Sequence, residues 1–495
     1  MTPPISIRNG TMITLAELPF QEFAGFQRQI EQALAYGQRL AALFGVPEWE
    51  PGQGGLRLIA VLSHAPEGRL LALSTRVQAR YPSLTPACPQ AHGFEREIFE
   101  THGVCPEGHP WLKPIRTHAG ETASELFPFF KIEGQEIHEV AVGPVHAGII
   151  EPGHFRFLCH GEHVFHLEIS LGYQHRGVER ALRNGPGPRT QSYMETLAGD
   201  TSIGHGLAYC QIMEALSKTA VPARAHTLRG IALELERLAN HTGDMGALAG
   251  DVGFLPTASY CGRIRGDFLN LTALLCGNRF GRHLLCPGGT RFDMEPAQIE
   301  AATLRTRQAF NDAQNAIELL WDSASVMARF DDIGSVPRET AMDLGLVGPA
   351  ARASGVECDV RHDLPCGLYQ FAQIPVSTYH TGDVFGRAFV RWMEIQRSAA
   401  FVQEQWRMLP DGPVAVPAAR PPAPQSLAVS LVEGWRGEIC HVALTDESGK
   451  FMAYKVVDPS FHNWRGLALA LRGQQIADFP LCNKSFNLSY CGHDL

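Results

Sequence analysis

The chain has 495 residues, 45% hydrophobic and 19% charged, and these values are typical of a folded globular protein rather than a disordered one. Its formal net charge of −9 argues against a nucleic-acid partner, because such proteins present a basic face. No stretch approaches about 18 consecutive apolar residues, and the N-terminal residues lack the pattern of a secretory signal. We therefore expect a cytoplasmic protein that does not cross a membrane by itself.

The first part of the chain, residues 1–117, is predicted to form a small α/β domain. Apolar residues recur at three- and four-residue steps over 20–44 and predict a helix there. The apolar runs 56–62 and 70–75 predict two strands joined as a hairpin across a polar stretch. Residues 118–138, with breaks at Gly120, Pro128 and Gly134, are predicted to be a connector.

Residues 139–495 are predicted to form a second domain, mainly helical with an antiparallel β portion, so that the fold class is α+β. Paired strands are expected within 145–170, around a turn at Gly161-Glu162. His160, His163 and His166 span that turn, and we expect structural or surface roles for them rather than metal binding. The later elements predicted from periodicity are helices over 205–216, 224–249 and 383–408, an extended proline-rich connection over 409–425, and strands over 427–431 and 439–444.

The twelve cysteines are scattered, and no two form a Cys-x-x-Cys pair. Such spacing contains no self-contained zinc or iron–sulfur signature, and it predicts free, mostly buried thiols.

Short segments spread over most of the chain resemble the large subunit shared by membrane-bound group 4 [NiFe]-hydrogenases and complex I. This resemblance implies the fold and the partners of that family. The matching segments are Gly143-Pro144-Val145-His146, Glu151-Pro152-Gly153-His154, His175-Arg176-Gly177-Val178-Glu179, Asn278-Arg279-Phe280-Gly281-Arg282, Pro287-Gly288-Gly289, Leu344-Gly345-Leu346-Val347-Gly348, Arg352-Ala353-Ser354-Gly355 and Gly382-Asp383.

The N-terminal domain carries a resemblance of its own. Phe94-Glu95-Arg96-Glu97 followed by Gly108-His109-Pro110 is similar to the end of the small hydrophilic subunit beside the quinone module of complex I. The formate hydrogenlyase and hydrogenase-4 branch fuses that domain to the large subunit, and this chain has the same arrangement.

Two further segments resemble the cysteine motifs that hold nickel and iron in the hydrogenases. The positions that correspond to the four metal ligands, called here the ligand-equivalent positions, are Ala198, Thr201, Ser460 and Asn463. None is a thiol, and these residue types cannot replace the soft thiolates of such a site. We therefore predict no nickel–iron centre and no hydrogenase activity from this chain alone. His462 is expected to hydrogen-bond into the vacated cavity.

The quinone site of complex I relatives is also altered. Ile150 stands where their second histidine would be, and Gly199 stands where their quinone-contacting tyrosine would be. Asp251 matches an acidic residue that lines their cavity, and His154 is a candidate replacement donor.

In hydrogenases of this family the glutamate that corresponds to Glu179 is linked to proton movement, which makes Glu179 a candidate proton carrier. The resemblance assigns no cofactor to this chain and implies a 4Fe–4S cluster in a partner. The full set of candidate proton-transfer or cavity residues is Glu179, Asp251, His146, His154, Arg176 and His205.

The sequence is compatible with three functions. The first is a subunit of a membrane-associated oxidoreductase complex that couples electron transfer to ion translocation without a nickel–iron site of its own. The second is a quinone-binding subunit of an NADH–quinone oxidoreductase type, and the third is a redox-silent scaffold. The implied partners are an iron–sulfur small subunit, a ferredoxin-like subunit and integral membrane subunits. The implied location is the inner face of the cell membrane, peripheral to the bilayer.

Overall fold

A computed structural model describes residues 3–47, 54–116, 127–134 and 136–495. The expected connector, including Gly120, therefore lies partly outside the described residues. Over the described ranges, no helix combines the length and apolarity that crossing a bilayer requires.

The N-terminal region forms a mostly antiparallel sheet with helices packed against it. The strands of this region are Ile5–Ile7 (β1), Thr11–Thr14 (β2), Phe20–Gln21 (β3), Arg39–Pro47 (β4), Leu56–His64 (β5), Arg69–Val77 (β6), Arg80–Pro82 (β7) and Cys105–Glu107 (β8). β2 belongs to another sheet, and β7 and β8 pair with each other in parallel. The helices are Phe23–Ala35 (α1) and His92–His102 (α2). The sheet order is β1-β6-β5-β4, and β3 runs parallel to β6 on the same edge as β1. The predicted hairpin is confirmed as β5 and β6.

The predicted helix over residues 20–44 is wrong in its second half. α1 ends at Ala35, and β4 begins at Arg39. Gly37 stands between them with a φ of +77°, a left-handed conformation that ends a helix and that glycine adopts without a Cβ penalty. Because both faces of the sheet are buried, β4 is a nearly continuous apolar run. Sequence periodicity cannot distinguish such a run from a buried segment of helix.

A three-stranded antiparallel sheet begins the second part of the chain. Its strands are Ile137–Val142 (β9), His154–His160 (β10) and His163–Ser170 (β11), and the predicted turn joins the last two. The ring of His160 pairs with Glu136, whereas the ring of His166 packs on Phe130. The histidines near the turn therefore have separate partners.

Long helices dominate the middle of the chain and pack into a bundle. The helices are Val178–Leu182 (α3), Thr190–Met194 (α4), Ser202–Ser217 (α5), Ala223–Asp251 (α6), Leu255–Cys276 (α7), Pro296–Trp321 (α8), Ala324–Phe330 (α9), Arg338–Leu344 (α10), Gly348–Arg352 (α11), Val360–Asp363 (α12), Val384–Arg407 (α13), Pro459–Ala470 (α14), Phe479–Phe486 (α15) and Tyr490–Asp494 (α16). The three predicted helices are confirmed as α5, α6 and α13. The apolar stripe of α13 packs in the main core, and Trp392, Ile395 and Trp406 are buried there.

Two further β structures complete the fold. A short hairpin pairs Leu285–Cys286 (β12) with Gly289–Thr290 (β13). The strands Ser426–Gly434 (β14), Gly437–Thr445 (β15) and Phe451–Val457 (β16) form a sheet in the order β16-β15-β14-β2, so that the N-terminal strand β2 pairs with β14. One face of this sheet packs against the N-terminal sheet and the other against the helices, and every residue of β14 and β15 is buried.

Candidate functional site

The ligand-equivalent positions lie in two segments that meet beneath the sheet of β14, β15 and β16. Thr201 precedes the first turn of α5, and Ala198 lies three residues before it. Ser460 and Asn463 lie on the first turn of α14, which the side chain of Asp458 caps by accepting the Ser460 N–H at 2.8 Å. All four ligand-equivalent side chains are buried.

The positions on α14 are used in hydrogen bonds that hold the backbone together. Asn463 Oδ1 accepts the Val347 N–H, and Asn463 Nδ2 donates to the Val347 carbonyl, both at 3.0 Å. Ser460 Oγ accepts the Ser489 N–H at 2.8 Å. The side chains that replace two thiolates are therefore part of the internal framework.

Arg436 lies against the other ligand-equivalent segment, and sequence reasoning missed it. It lies in the tight turn between β14 and β15, and its guanidinium contacts both carboxylate oxygens of Asp200, at 2.5 and 2.8 Å. The same guanidinium lies 3.4 Å from Thr201 Oγ1 and donates to the Asn487 carbonyl. Although burial opposes the charge, Asp200 raises the pKa of Arg436 above its ordinary value. A buried, permanently charged group thus lies at the ligand-equivalent segment.

The residues present do not fit a nickel–iron centre. The ligand-equivalent positions supply no thiolate, and three of the four side chains are engaged by other protein groups. Within the described ranges, no cluster of three or more histidine, cysteine or acidic side chains is arranged to hold a metal ion. All twelve cysteines are free, as predicted, and most of them are buried.

A buried chain of hydrogen bonds runs from Asp458 into the core. Asp458 Oδ2 lies 3.0 Å from His205 Nε2, His205 Nδ1 lies 3.1 Å from His441 Nε2, and His441 Nδ1 lies 2.9 Å from the Tyr454 hydroxyl. We call these four residues the relay. His205, His441 and Asp458 are at most 1% exposed, and Tyr454 is 3% exposed. Sequence reasoning found His205 alone, because its partners lie more than 200 positions away.

The charge states of the relay follow from its surroundings. Although burial opposes ionisation, the hydrogen bond from His205 holds the pKa of Asp458 below its ordinary value. Burial lowers the pKa of His441 well below its ordinary value and raises the pKa of Tyr454 well above its own. Asp458 is therefore a carboxylate that accepts from His205 Nε2–H, while His441 and Tyr454 are neutral.

Glu236 is a further buried acidic group beside the same segment. Its two carboxylate oxygens accept the N–H groups of Ile203 and Gly204 at 2.7 and 3.2 Å, at the start of α5. Burial raises the pKa of Glu236 to about 8 in spite of these bonds, and the nearby Asp200 adds to the rise. This carboxyl group therefore exchanges its proton near neutral pH.

Glu179, the predicted proton carrier, belongs to a separate charged cluster. Its Oε1 lies 3.0 Å from Lys455 Nζ and accepts the Val456 N–H at 3.0 Å. Lys455 also contacts Glu97 at 2.5 Å, and Arg116 contacts Glu97 at the same distance. These groups, called here the Glu97 cluster, line a cavity of about 410 Å³ between the N-terminal region and β16.

We expect Glu97 to make stability depend on acid pH. Burial opposes its ionisation, yet Arg116 and Lys455 lower the pKa of Glu97 to about 2, against an unfolded value of 4.5. Its contribution is complete above pH 4.5 and is lost as the pH falls toward 2, by about 3 kcal/mol in total. Urea unfolding between pH 5 and pH 3 should show a shallower loss for Glu97→Gln than for the parent chain. Glu300→Gln, at an exposed position on α8, should keep the parent slope, and equal slopes for all three proteins would contradict the assignment.

Arg176 does not pair with Glu179, although three residues separate them. Its guanidinium donates to the carbonyl oxygens of Thr196, Leu197 and Cys491 at 2.8, 2.9 and 3.3 Å. It therefore holds the segment before α5 against the C-terminal α16. This contact is a positioning role.

His146 and His154 lie at the two ends of the loop between β9 and β10. His146 Nε2 donates to the Gly153 carbonyl at 2.8 Å, and His154 Nδ1 lies 3.3 Å from the Gly143 carbonyl. The loop exposes Ile149 at its tip, 86% accessible. The two histidines are near each other but do not contact the relay.

Asp251, the last residue of α6, lies apart from the other candidates. Its Oδ1 accepts from Lys484 Nζ at 2.6 Å, and its Oδ2 is buried without a hydrogen-bond partner in the part of the chain that the structure describes. The six predicted residues thus divide among the relay, the Glu97 cluster, the β9–β10 loop and isolated contacts.

Families of known proteins match both the N-terminal part and the later part of the chain. The family described as "Respiratory-chain NADH dehydrogenase, 30 Kd subunit" matches residues 20–131, and the "49 Kd subunit" of the same enzyme matches residues 251–429. Over both of these parts the chain is similar to subunits of hydrogenases and of complex I. The order of the two matches agrees with a small domain fused in front of the large subunit.

Relatives from both branches of this family align over most of their length. Hydrogenase-4 component G of Escherichia coli is 29% identical over 434 residues, covering 83% of this chain and 75% of that protein. Formate hydrogenlyase subunit 5 of the same organism is 28% identical over 484 residues, covering 92% and 84%. NADH-quinone oxidoreductase subunit 4 of Thermus thermophilus is 29% identical over 370 residues, covering 69% and 90%. The similarity thus extends to both the hydrogenase and the quinone branches.

Proposed function

We propose that this chain is the large subunit of a membrane-associated oxidoreductase complex that couples electron transfer to ion translocation without a nickel–iron site of its own. Its relatives carry the names of hydrogenase and NADH-quinone oxidoreductase subunits, which supports the general class. The observation that carries the proposal is the relay, which is continuous and buried beside ligand-equivalent positions that hold no thiolate. The partners we propose are an iron–sulfur small subunit with a 4Fe–4S cluster, a ferredoxin-like subunit and integral membrane subunits, on the inner face of the membrane.

The relay has two hydrogen-bonded arrangements that differ by one proton. With both histidines neutral, Tyr454 donates to His441, His441 donates to His205, and His205 donates to Asp458. When a proton enters at Tyr454, Tyr454 passes its own proton to His441 Nδ1, and His441 passes its Nε2 proton to His205 Nδ1. His205 Nδ1 then donates to His441 Nε2, and His441 Nδ1 donates to Tyr454. A negative charge that arrives nearby favours the protonated arrangement, because opposite charges stabilise each other strongly in a buried site. Such a chain converts electron arrival into proton uptake.

The test interrupts the relay in the assembled complex. The complex is purified through a tag on this chain, and the oxidation of reduced methyl viologen is measured with decylubiquinone present and absent. His441→Leu should lower turnover at least about tenfold, because it removes the middle of the relay. Asp322→Ala, at an exposed position at the end of α8, should leave turnover unchanged. Stoichiometric nickel in the complex, or full turnover of His441→Leu, would contradict the proposal.

A quinone-reducing function is the second candidate, and the buried Oδ2 of Asp251, which has no partner in the described ranges, favours it. Turnover that requires decylubiquinone, and that is lost in His154→Ala and Asp251→Asn, would support this function. Indifference to quinones and their inhibitors would remove it. If His441→Leu, Glu179→Gln and Asp251→Asn all left the complex fully active, the redox-silent scaffold function would replace both the coupling function and the quinone-reducing function.

A further inference from the structure

A cavity of about 400 Å³ lies on the outer side of α14, away from the contacts of Ser460 and Asn463. Its volume is in the range of small-molecule sites. Three parts of the fold meet there: α2 with the segment after β8, strand β11, and α14. The lining residues that matter for recognition are Trp111, Phe129, Phe461, His462, Arg465 and Arg472.

The cations of this cavity differ in whether they already have partners. Lys113 pairs with Glu168 at 2.6 Å, and Arg96 donates to two backbone carbonyls while lying over the Trp111 ring. The exposed side chains of Arg465 and Arg472 form no hydrogen bond or ion pair over the described ranges. Two guanidinium groups at one cavity, with no carboxylate partner among the residues that the structure describes, make a site with an excess of positive charge.

His462 supplies a second, independent sign of a missing ligand. The residue is 6% exposed, lines the cavity, and its Nε2 has no hydrogen-bond partner within the described part of the chain. The expected hydrogen bond of His462 into the vacated cavity is therefore not formed through this atom. Burial lowers the pKa of His462 to about 3, so the ring is neutral and its unpartnered nitrogen costs stability unless a bound group reaches it.

The walls also offer flat apolar surfaces. Trp111, Phe129 and Phe461 line the cavity, with Arg96 over the Trp111 ring and Lys113 over the Phe129 ring. Aromatic rings of this kind also stack against planar ring systems. Guanidinium groups bind phosphate and carboxylate oxygens through paired hydrogen bonds. We propose that this cavity binds an anionic small molecule with a flat ring, about the size of a mononucleotide, with Arg465 and Arg472 holding the anion.

The test uses calorimetric titration of the purified full-length chain with four probes. AMP carries a phosphate and a ring, 2-naphthoate carries a carboxylate and a ring, adenosine has the ring alone, and inorganic phosphate has the anion alone. At least one of AMP and 2-naphthoate should bind at least tenfold more tightly than both adenosine and phosphate, and the tighter of the two identifies the anion. Adenosine or phosphate binding as tightly as both combined probes would overturn the proposal, and so would no binding of any probe at millimolar concentration.

Variants locate the site. Arg465→Gln should weaken binding of the preferred probe about tenfold, Arg465→Lys should weaken it less, and Arg305→Gln on the exposed face of α8 should not change it. Ala468→Trp should abolish binding by filling the cavity that Ala468 lines, with thermal unfolding confirming that the variant is folded. Unchanged binding in both Arg465→Gln and Ala468→Trp would overturn the assignment to this cavity.

Discussion

Asp458→Ala should lower the free energy of unfolding by about 3–5 kcal/mol, the range for removing one partner from a buried charged network. The carboxylate has two separate tasks, since Oδ2 accepts from His205 and Oδ1 accepts the Ser460 N–H that begins α14. Alanine supplies neither acceptor, and it leaves the positive charge of Arg436 with less compensation. Urea unfolding at pH 7, followed by circular dichroism, measures the change.

Asp458→Asn separates the two tasks, because its single amide oxygen can serve His205 or Ser460 but not both. We expect roughly half the loss of Asp458→Ala. Asp322→Ala, at an exposed position at the end of α8, should change stability by less than about 0.5 kcal/mol. A loss for Asp458→Ala no larger than that of this control would mean that the relay does not hold the fold together.

The sequence was sufficient to predict elements whose signal is local. The long helices α5, α6 and α13 carry strong periodicity or full burial over many turns, and the structure confirms them. The second half of the helix predicted over 20–44 was wrong because β4 is buried on both faces. Its side chains then lose the alternation that marks a strand.

The site was only partly predictable because its contacts are long-range. The ligand-equivalent positions and His205 were found in short motifs, but His441 and Tyr454 lie on β15 and β16 in no recognised motif. Arg436 looked like an ordinary hairpin-turn residue, and nothing local indicated that Asp200 would bind it. A sheet buried between two cores leaves few places for polar side chains, so polar residues within β15 and β16 were the available signal.

The pairing of β2 with β14 joins the N-terminal part of the chain to a sheet formed near its C-terminal end. The sheet that contains β14 forms part of two hydrophobic cores at once. The contact between Lys455 and Glu97, which are 358 positions apart, therefore links the N-terminal part of the chain to β16. We expect changes at this sheet to affect the Glu97 cluster and the relay together, because Lys455 and Tyr454 are neighbours on β16.

Asn463→Cys, which restores a thiol at a ligand-equivalent position, should lower the free energy of unfolding by about 2–6 kcal/mol. The substitution leaves both the N–H and the carbonyl of Val347 buried without a partner, at about 1–3 kcal/mol for each group. Asn463→Asp keeps an acceptor for the N–H but turns a buried carboxylate oxygen toward the Val347 carbonyl, so at pH 7 it should cost at least as much as the cysteine variant. Asn315→Cys, at an exposed position of α8, should be within about 0.5 kcal/mol of the parent in the same urea titration.

The stability of Asn463→Cys shows whether this structure tolerates a thiol at a ligand-equivalent position. If Asn463→Cys is as stable as the parent, Val347 finds other partners and the frame still tolerates a thiol at that position. If the expected loss is observed, the backbone between α10 and α11 now depends on the asparagine amide. Stability itself then opposes a thiol at position 463, because the cysteine side chain satisfies neither backbone group of Val347.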